Sequence, residues 1–344
     1  MRYLQSFTLR FVLHLCVVLA LPCASRAQSG GSVVYSFVQR AVSARENALG
    51  ATALARSGDV ALTLKNPSLL DSSLSRSASL TWGNMFALQT NGTSIASVSY
   101  AHPLREKLML VGGISSVIYG SFHGYDEDAH FIGYFSASDN VLTAGICYQF
   151  LPNFYAGVSL KPVLSFLESY SSVGVLADFA VRYRSIDTLT NATIIVRNAG
   201  SQISTYTGVY EDIPFGVDVA IRQKLKYAPF AISFAYSDVQ QFALSGNDNS
   251  FVNNLLKHIS LASDVRLFKR IDVMAGFNFR KFQDLTWDTG RHAVGLSFGA
   301  AYERHNWKFG YGYAKQHAAG GTHFFTVSAN MQHVTNTLFK QNTL

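Results

Sequence analysis

Six charged residues alternate with small and apolar residues on three predicted strands, where both signs of charge lie close together. They are Asp218, Arg222, Asp264, Arg266, Asp272 and Arg280. Side chains of this kind could line a path for a solute, or they could neutralise one another inside the protein. We favour pairing with one another or with a plug-like segment, because opposed charges in an interior usually occur as ion pairs.

The sequence contains no recognisable catalytic pattern. It has no G-x-S-x-G, no H-E-x-x-H, no phosphate-binding loop and no G-x-G-x-x-G that opens a helix. An enzyme of the lipase or protease type would need a nucleophile beside a base, and no serine or histidine lies in such a context. We therefore expect no enzymatic activity, no cofactor and no metal site.

Fourteen segments after residue 76 show the two-residue alternation of strands. In 172–184, for example, Val175, Phe179 and Val181 share one face, whereas Asp178 and Arg182 share the other. The predicted strands are 77–86, 93–102, 107–119, 140–150, 153–164, 172–184, 191–198, 215–224, 227–238, 257–267, 270–281, 289–302, 306–316 and 321–332.

Two folds fit this alternation, a β-sandwich and a transmembrane barrel. Charged residues are only 14% of the chain and aromatic residues reach 13%, whereas about 25% charge is typical of soluble domains. Connections such as 151–152 and 268–269 are tight, but 120–139, 199–214 and 239–256 are long. Short turns at one rim and long loops at the other are typical of outer-membrane barrels. We predict an all-β, transmembrane antiparallel β-barrel of about 14 strands.

The first residues are typical of an export signal. Arg2 and Arg10 precede an apolar run, and the segment 25–27 has the small-x-small pattern of a cleavage site. Residues 1–27 contain three arginines and no acid, so without them the formal net charge falls from +7 to +4. A nucleic-acid partner therefore loses its compositional support. We expect a cleaved signal peptide (1–27), a plug-like segment (28–76), a barrel (77–332) and a tail (333–344), in the cell outer membrane.

Two segments outside the strands stand out. Residues 28–76 are too short to fold alone and apolar enough to be buried, so they are predicted to plug the barrel. The connection 120–139 is predicted to be a long loop in which aromatic and acidic residues alternate. Exposed aromatics rimmed by charge are typical of a protein-binding surface, and the alternative is a loop that packs on itself and closes the barrel. The candidate partner-binding residues are Phe122, Tyr125, Asp126, Glu127, Phe131 and Phe135.

The order of several short motifs resembles a known family. Asp59 to Pro67, followed by Ser68, is similar to the N-terminal motif of FadL-like barrels, which usually read Asn-Pro-Ala. Arg45 and Gly50 lie in a stretch that resembles the PorQ/PorV branch of that superfamily, a branch of the type IX secretion system. The PorQ proteins in particular are similar over 119–139 and 161–172. The motif residues at the N-terminus are Arg45, Gly50, Asp59, Asn66 and Pro67.

The resemblance implies a barrel that anchors a surface protein and performs no chemistry itself. Its implied partners are a PorZ-like surface protein, other secretion-system components and outer-membrane lipid or lipopolysaccharide. The implied function is the attachment of secreted cargo to the cell surface. The alternative is a FadL-like transporter of hydrophobic small molecules, which would need a continuous apolar pocket and a movable plug.

Overall fold

The computed structural model describes residues 33–85, 93–242, 250–284, 293–317 and 320–331. The predicted signal peptide, the start of the predicted plug and the C-terminal tail lie outside these residues. Within the described residues, no helix is both long and apolar enough to cross a bilayer.

Fourteen antiparallel strands form a closed barrel in which each strand pairs with its neighbours in sequence and β1 pairs with β14. This confirms the predicted fold class and strand number. The strands are β1 (Ser77–Met85), β2 (Ser94–Arg105), β3 (Leu108–Tyr125), β4 (Phe131–Leu151), β5 (Phe154–Leu167), β6 (Tyr170–Arg184), β7 (Thr190–Ser204), β8 (Gly216–Lys224), β9 (Phe230–Tyr236), β10 (Ile259–Leu267), β11 (Ile271–Asn278), β12 (Leu296–Arg304), β13 (Trp307–His317) and β14 (Gly320–Asn330).

The alternation of each strand becomes an outer apolar face and an inner face of small or charged residues. In β6, Phe179 and Val181 point outward and are 49% and 42% exposed, whereas Asp178 and Arg182 point inward and are fully buried. In a barrel the apolar side faces lipid, and closure leaves no strand edge whose backbone would lack hydrogen bonds. The inner face is the one that can carry a site.

The barrel has two different ends. The turn rim carries connections of two to five residues, and β1 begins and β14 ends there. The loop rim carries the longer connections, including 205–215 and 237–258, although β5 and β6 are joined there by only two residues. The described parts of the loop rim include the helices α2 (Phe251–Lys257) and α3 (Phe279–Asp284).

Several predicted strand boundaries were wrong, and β7, predicted to end at 198, runs to Ser204. β3 ends at Tyr125 and β4 begins at Phe131, so most of the predicted loop 120–139 is strand. β11 ends at Asn278 rather than 281, because the Asn278 Oδ1 atom accepts a hydrogen bond from the Lys281 amide (2.8 Å) and opens α3. β12 begins at Leu296 rather than 289.

Residues 33–76, which we call the plug, run through the lumen from one end to the other. Val34 N–H bonds to the Asp212 carbonyl (2.9 Å) in the β7–β8 loop at the loop rim. Ser77 begins β1 at the turn rim. Between them lie the helix α1 (Ala44–Leu49) and short 3-10 turns at Ser36–Gln39, Gly50–Ala55, Ala61–Leu64, Pro67–Leu69 and Ser72–Leu74.

Small inner-face residues let the plug approach the barrel wall. Leu49 and Leu62 pack with Met274 and Ala262, and a second cluster joins plug leucines to inward residues of β2, β3 and β5. A Cβ atom on Gly312 would lie 2.0 Å from the Ala44 carbonyl oxygen. Glycine is therefore required at this position for steric reasons, since any larger residue would push α1 away from the wall.

Candidate functional site

The predicted N-terminal motif residues hold the plug together and fasten it to the wall. The Asn66 Oδ1 atom caps the turn at Pro67, where it accepts hydrogen bonds from the Ser68 amide (3.0 Å) and hydroxyl (2.7 Å). Its Nδ2 atom donates to the Leu54 carbonyl (2.7 Å). Because each polar atom of this buried amide has a partner, the Asn-Pro pair joins two turns of the plug.

The other motif residues act nearby. Asp59 Oδ1 accepts a hydrogen bond from the Ala61 amide (3.0 Å) and so closes a local turn. Gly50 follows α1 with φ +60°, a left-handed backbone that favours glycine. Arg45 reaches across the lumen to Asp272, with Nη2 at 3.4 Å from Oδ2. The motif therefore has a structural role, and Arg45 links it to the barrel.

An ion-pair network near the turn rim joins the plug to β8, β10 and β11. Asp272 Oδ2 lies 3.0 Å from Arg56 Nη2, and Asp264 Oδ2 lies 3.5 Å from Arg56 Nη1. Arg222 binds Asp264 with a 2.7 Å contact. Burial lowers the pKa of Arg56 to about 10, repulsion from Arg45 and Arg222 adds to this, and the two aspartates oppose it. Arg56 therefore stays protonated at neutral pH.

Four of the six predicted lumen charges meet in this network, namely Arg222, Asp264, Arg266 and Asp272, and the other two lie elsewhere. Asp218 lies nearer the loop rim and pairs with Arg197, whose Nε is 2.5 Å from Asp218 Oδ2. Arg266 is 45% exposed at the turn-rim side of the network, where its Nε atom lies 3.5 Å from Asp272 Oδ1 and its guanidinium also pairs with Glu303. Arg280 is not on β11 as predicted; it lies on α3 and binds Asp238 at 3.0 Å.

A second group of ion pairs, which the sequence reading missed, holds the end of the plug. Asp71 Oδ2 lies 3.2 Å from Arg182 Nη2 and 3.0 Å from Arg184 Nη1. The guanidinium of Arg182 also lies 4.2 Å from the centre of the Tyr155 ring. The two-residue alternation of β6 places Arg182 on the inner face, but no sequence pattern indicates that its partner is Asp71, 111 positions earlier.

A cavity of about 380 Å³ lies between the plug and the loop rim. Its wall contains two close ion pairs, Lys161 with Asp178 (2.6 Å) and Arg197 with Asp218 (2.5 Å). The plug contributes Glu46 and Lys65. Burial raises the pKa of Glu46, and the positive charge of Lys65 opposes that rise. The described lining therefore combines charged and apolar side chains and is not the continuous apolar pocket that a hydrophobic solute needs.

The predicted loop 120–139 is a hairpin that rises beyond the barrel wall. β2 pairs with β3 only as far as Ile118, and β5 pairs with β4 only from Ala137. The residues 119–136, which we call the loop-rim hairpin, therefore pair with no strand of the described chain beyond the hairpin itself. Seven residues of β3 at about 3.3 Å each give a projection of about 23 Å. A bulge at Tyr119 and Gly120, where Gly120 has φ +83°, marks the exit from the wall.

The six candidate partner-binding residues divide between the two faces and the tip of the loop-rim hairpin. Phe122 and Phe135 face the barrel axis and stack at 5.2 Å between ring centres. Tyr125 and Phe131 are 58% and 52% exposed on the outer side. Asp126 is engaged in the tip, where its Oδ1 atom accepts from the His130 amide (2.7 Å). Glu127 is exposed at the tip.

The outer face also contains aromatic residues that the sequence reading missed. Tyr134, which pairs with His123 across the hairpin, is 69% exposed. The His123 ring lies 4.9 Å from the Tyr134 ring, and Phe131 lies 5.1 Å from the same ring. We call His123, Tyr125, Phe131 and Tyr134 the aromatic patch. Within the described residues, no group of three potential ligands is placed to hold a metal ion.

The fold is shared with outer-membrane barrels of the FadL type. No family model matches the sequence, and no curated protein sequence is similar to it. The toluene transporter TodX of Pseudomonas putida superposes with a TM-score of 0.51 at 11% identity, over 83% of this chain and 95% of TodX. CymD, a monoaromatic hydrocarbon channel, gives 0.50 at 13% identity, over 84% and 96%. At such identities the likeness concerns the fold alone.

Proposed function

We propose that this protein is a plugged outer-membrane barrel that anchors a surface protein through the loop-rim hairpin. The observation that carries the proposal is the aromatic patch. Tyr134 and Tyr125, on the outer face of a hairpin that stands clear of the wall, are 69% and 58% exposed. Aromatic side chains dominate the binding energy of protein interfaces, so a partner that covered this patch would gain most of its affinity there.

The lumen supports a closed anchor more than an open pore. The plug crosses it from rim to rim, and buried ion pairs hold it at two places, through Arg56 and through Asp71. Removing the plug would leave the wall residues Asp272 and Arg182 without their plug partners. Because an unpaired buried charge costs several kcal/mol, the docked plug is the favoured state.

The finer part of the proposal is a role in the type IX secretion system, as a PorQ-type anchor for a PorZ-like surface protein. Its support is the order of motifs along the chain, from Arg45 through Asn66 to the segment 119–139. In this role the protein has no catalytic activity and is exported with a cleaved signal peptide. It contacts outer-membrane lipid or lipopolysaccharide and helps to attach secreted cargo to the cell surface.

The test is an affinity pull-down of the tagged barrel from its native membrane in a mild detergent, with bound proteins identified by mass spectrometry. We expect a PorZ-like protein to copurify with the wild type. Tyr134→Ser and Phe131→Ser should lose it, because each removes an exposed ring from the patch.

The matched controls are exposed aromatics on the opposite rim. Tyr227 and Phe268 are 92% and 87% exposed at the turn rim, so Tyr227→Ser and Phe268→Ser should retain the partner. If the wild type brings down no secretion-system protein, or the hairpin variants bind as well as the controls, the proposal is wrong.

The second candidate function is transport of a small hydrophobic molecule, and the likeness to TodX and CymD is the observation that favours it. Two observations argue against transport. An apolar solute would have to pass the charged residues Lys161, Asp178 and Arg197 of the cavity lining, and buried ion pairs hold the plug in the lumen. Deletion of the gene followed by growth on a hydrocarbon or fatty acid as carbon source separates the two functions. If the deletion causes a growth defect and the Tyr134→Ser variant restores growth, transport is favoured, because this variant lacks an aromatic ring of the proposed anchoring surface.

A further inference from the structure

The cavity at the loop rim carries more positive than negative charge. Of the described residues, six basic and three acidic ones line it: Arg40, Lys65, Lys161, Arg197, Lys281 and Lys315, and Glu46, Asp178 and Asp218. The Lys161–Asp178 and Arg197–Asp218 pairs neutralise two charges of each sign. Four cations of the described lining then remain, and Glu46 is the one acidic residue of that described lining outside the two pairs.

The remaining cations bind neutral acceptors or none among the described residues. Lys65 Nζ donates to the Val38 carbonyl, and Lys281 Nζ donates to Gln316 Oε1 (2.5 Å). The side chains of Arg40 and Lys315 form no hydrogen bond or ion pair with the described part of the chain. A buried ammonium group is normally paired with an anion, because transfer of an unpaired charge out of water is costly.

The pKa values of the two lysines agree with this charge imbalance. Burial lowers the pKa of Lys65 to about 8; Glu46 raises it only in part, and the nearby Lys161 and Arg197 lower it further. Burial also lowers the pKa of Lys281 to about 8, with repulsion from Arg40 added. A ligand anion in the cavity would offset the repulsion that each lysine experiences from its neighbouring cations and would supply an anionic acceptor.

We propose that this cavity binds a small organic oxyanion, a phosphorylated or carboxylated molecule about the size of a monosaccharide. The volume of about 380 Å³ is within the range of small-molecule sites. Lys65 comes from the plug and Lys281 from α3, so cations on two different elements of the lining are available to bind the anionic molecule. Phe277 and Leu296 also line the cavity and provide apolar surface for the carbon skeleton.

The ligand is soluble rather than a membrane lipid. The barrel is closed by hydrogen bonds all the way round, so the wall separates the cavity from the bilayer. Among the described residues, the exposed Gln39 and Arg40 lie at the edge of the cavity on the side of the loop rim. The proposal does not depend on the surface partner, since the aromatic patch and the cavity share no residue.

Isothermal titration calorimetry on the full barrel in detergent and phosphate-free buffer tests the site. The probes are glucose 6-phosphate, glucuronate and glucose, which share a ring and differ in charge. We expect at least one charged sugar to bind and glucose not to bind. Lys65→Met and Lys281→Met should each weaken binding by at least about tenfold, because each removes a charge-assisted hydrogen bond.

The control is Lys107→Met, which removes the same charge from an exposed turn at the opposite rim and should bind like the wild type. Lys281 lies outside the plug, so its variant remains informative if Lys65→Met disturbs plug packing. Three results would overturn the proposal: no binding of either charged sugar to the wild type, equal binding of glucose, or unchanged affinity in both variants. An equal loss in Lys107→Met would also overturn it.

Discussion

Removal of the Asp272 charge should release the plug without opening the barrel. The Asp272 carboxylate is 5% exposed and lies 3.0 Å from Arg56 and 3.4 Å from Arg45, two residues of the plug. Asp272→Asn keeps the shape of the side chain and leaves both guanidinium groups short of an anion. Breaking a buried ion pair by removing one partner costs about 3–5 kcal/mol.

The lower end of that range applies here. Asp264 remains 3.5 Å from Arg56 and still neutralises part of its charge. A loss of about 3 kcal/mol corresponds to a change of about 150-fold in the equilibrium between the docked and the released plug. The strands do not contribute to this difference, because their hydrogen bonds are the same in both states.

Native-state hydrogen exchange followed by mass spectrometry measures this equilibrium locally. Peptides from 44–64 should exchange about 150-fold faster in Asp272→Asn than in the wild type, whereas peptides from β4 to β6 should be unchanged. Glu106→Gln, which removes an exposed charge from the turn rim, serves as the control. The assignment of Asp272 as a plug anchor is refuted if peptides from 44–64 of Asp272→Asn exchange at the wild-type rate. It is also refuted if the exchange rate of the strand peptides rises as much as that of 44–64.

Three further predictions concern the plug and the wall. Gly312→Val should displace the plug and raise the conductance in planar bilayers, because the new Cβ atom would lie 2.0 Å from the Ala44 carbonyl; Gly310→Ala, with a nearest contact of 3.5 Å, should conduct like the wild type. Asn66→Ala should cost about 1–2 kcal/mol of plug docking through the lost cap, seen as about 5- to 30-fold faster exchange in the plug. Val219→Arg places a charge on the outer face and should destabilise the barrel by about 2–4 kcal/mol in urea titrations in vesicles if it lies at the bilayer midplane; equal stability would contradict a lipid-facing position.

The barrel itself could be read from the sequence because alternation is local. Each strand needs an apolar outer face for lipid, and the requirement repeats every two residues along β6, β8 and β10. The same rule placed Asp218, Arg222 and Asp264 inside. It failed for Arg280, because Asn278 ends β11 and the chain turns into α3.

The loop-rim hairpin shows where the rule stops. Above the wall no lipid requires apolar residues on one side, so the alternation in 120–139 loses its contrast and resembles a loop. The strands continue because β3 and β4 still pair through their backbones. The pairing extends from Ser121 opposite Ser136 to Tyr125 opposite Phe131. Only this pairing brings His123 and Tyr134 together in the aromatic patch.

By itself the sequence determined the closed fourteen-strand barrel, its inner and outer faces and the presence of a segment suited to fill it. These properties follow from residue type and short-range spacing. Tertiary structure alone decided which charges meet: Arg56 with Asp272, Asp71 with Arg182, and the unbalanced cations around the cavity. The physical reason is that ion pairs depend on the register between a plug and a wall separated by a hundred or more residues, and no local pattern encodes that register.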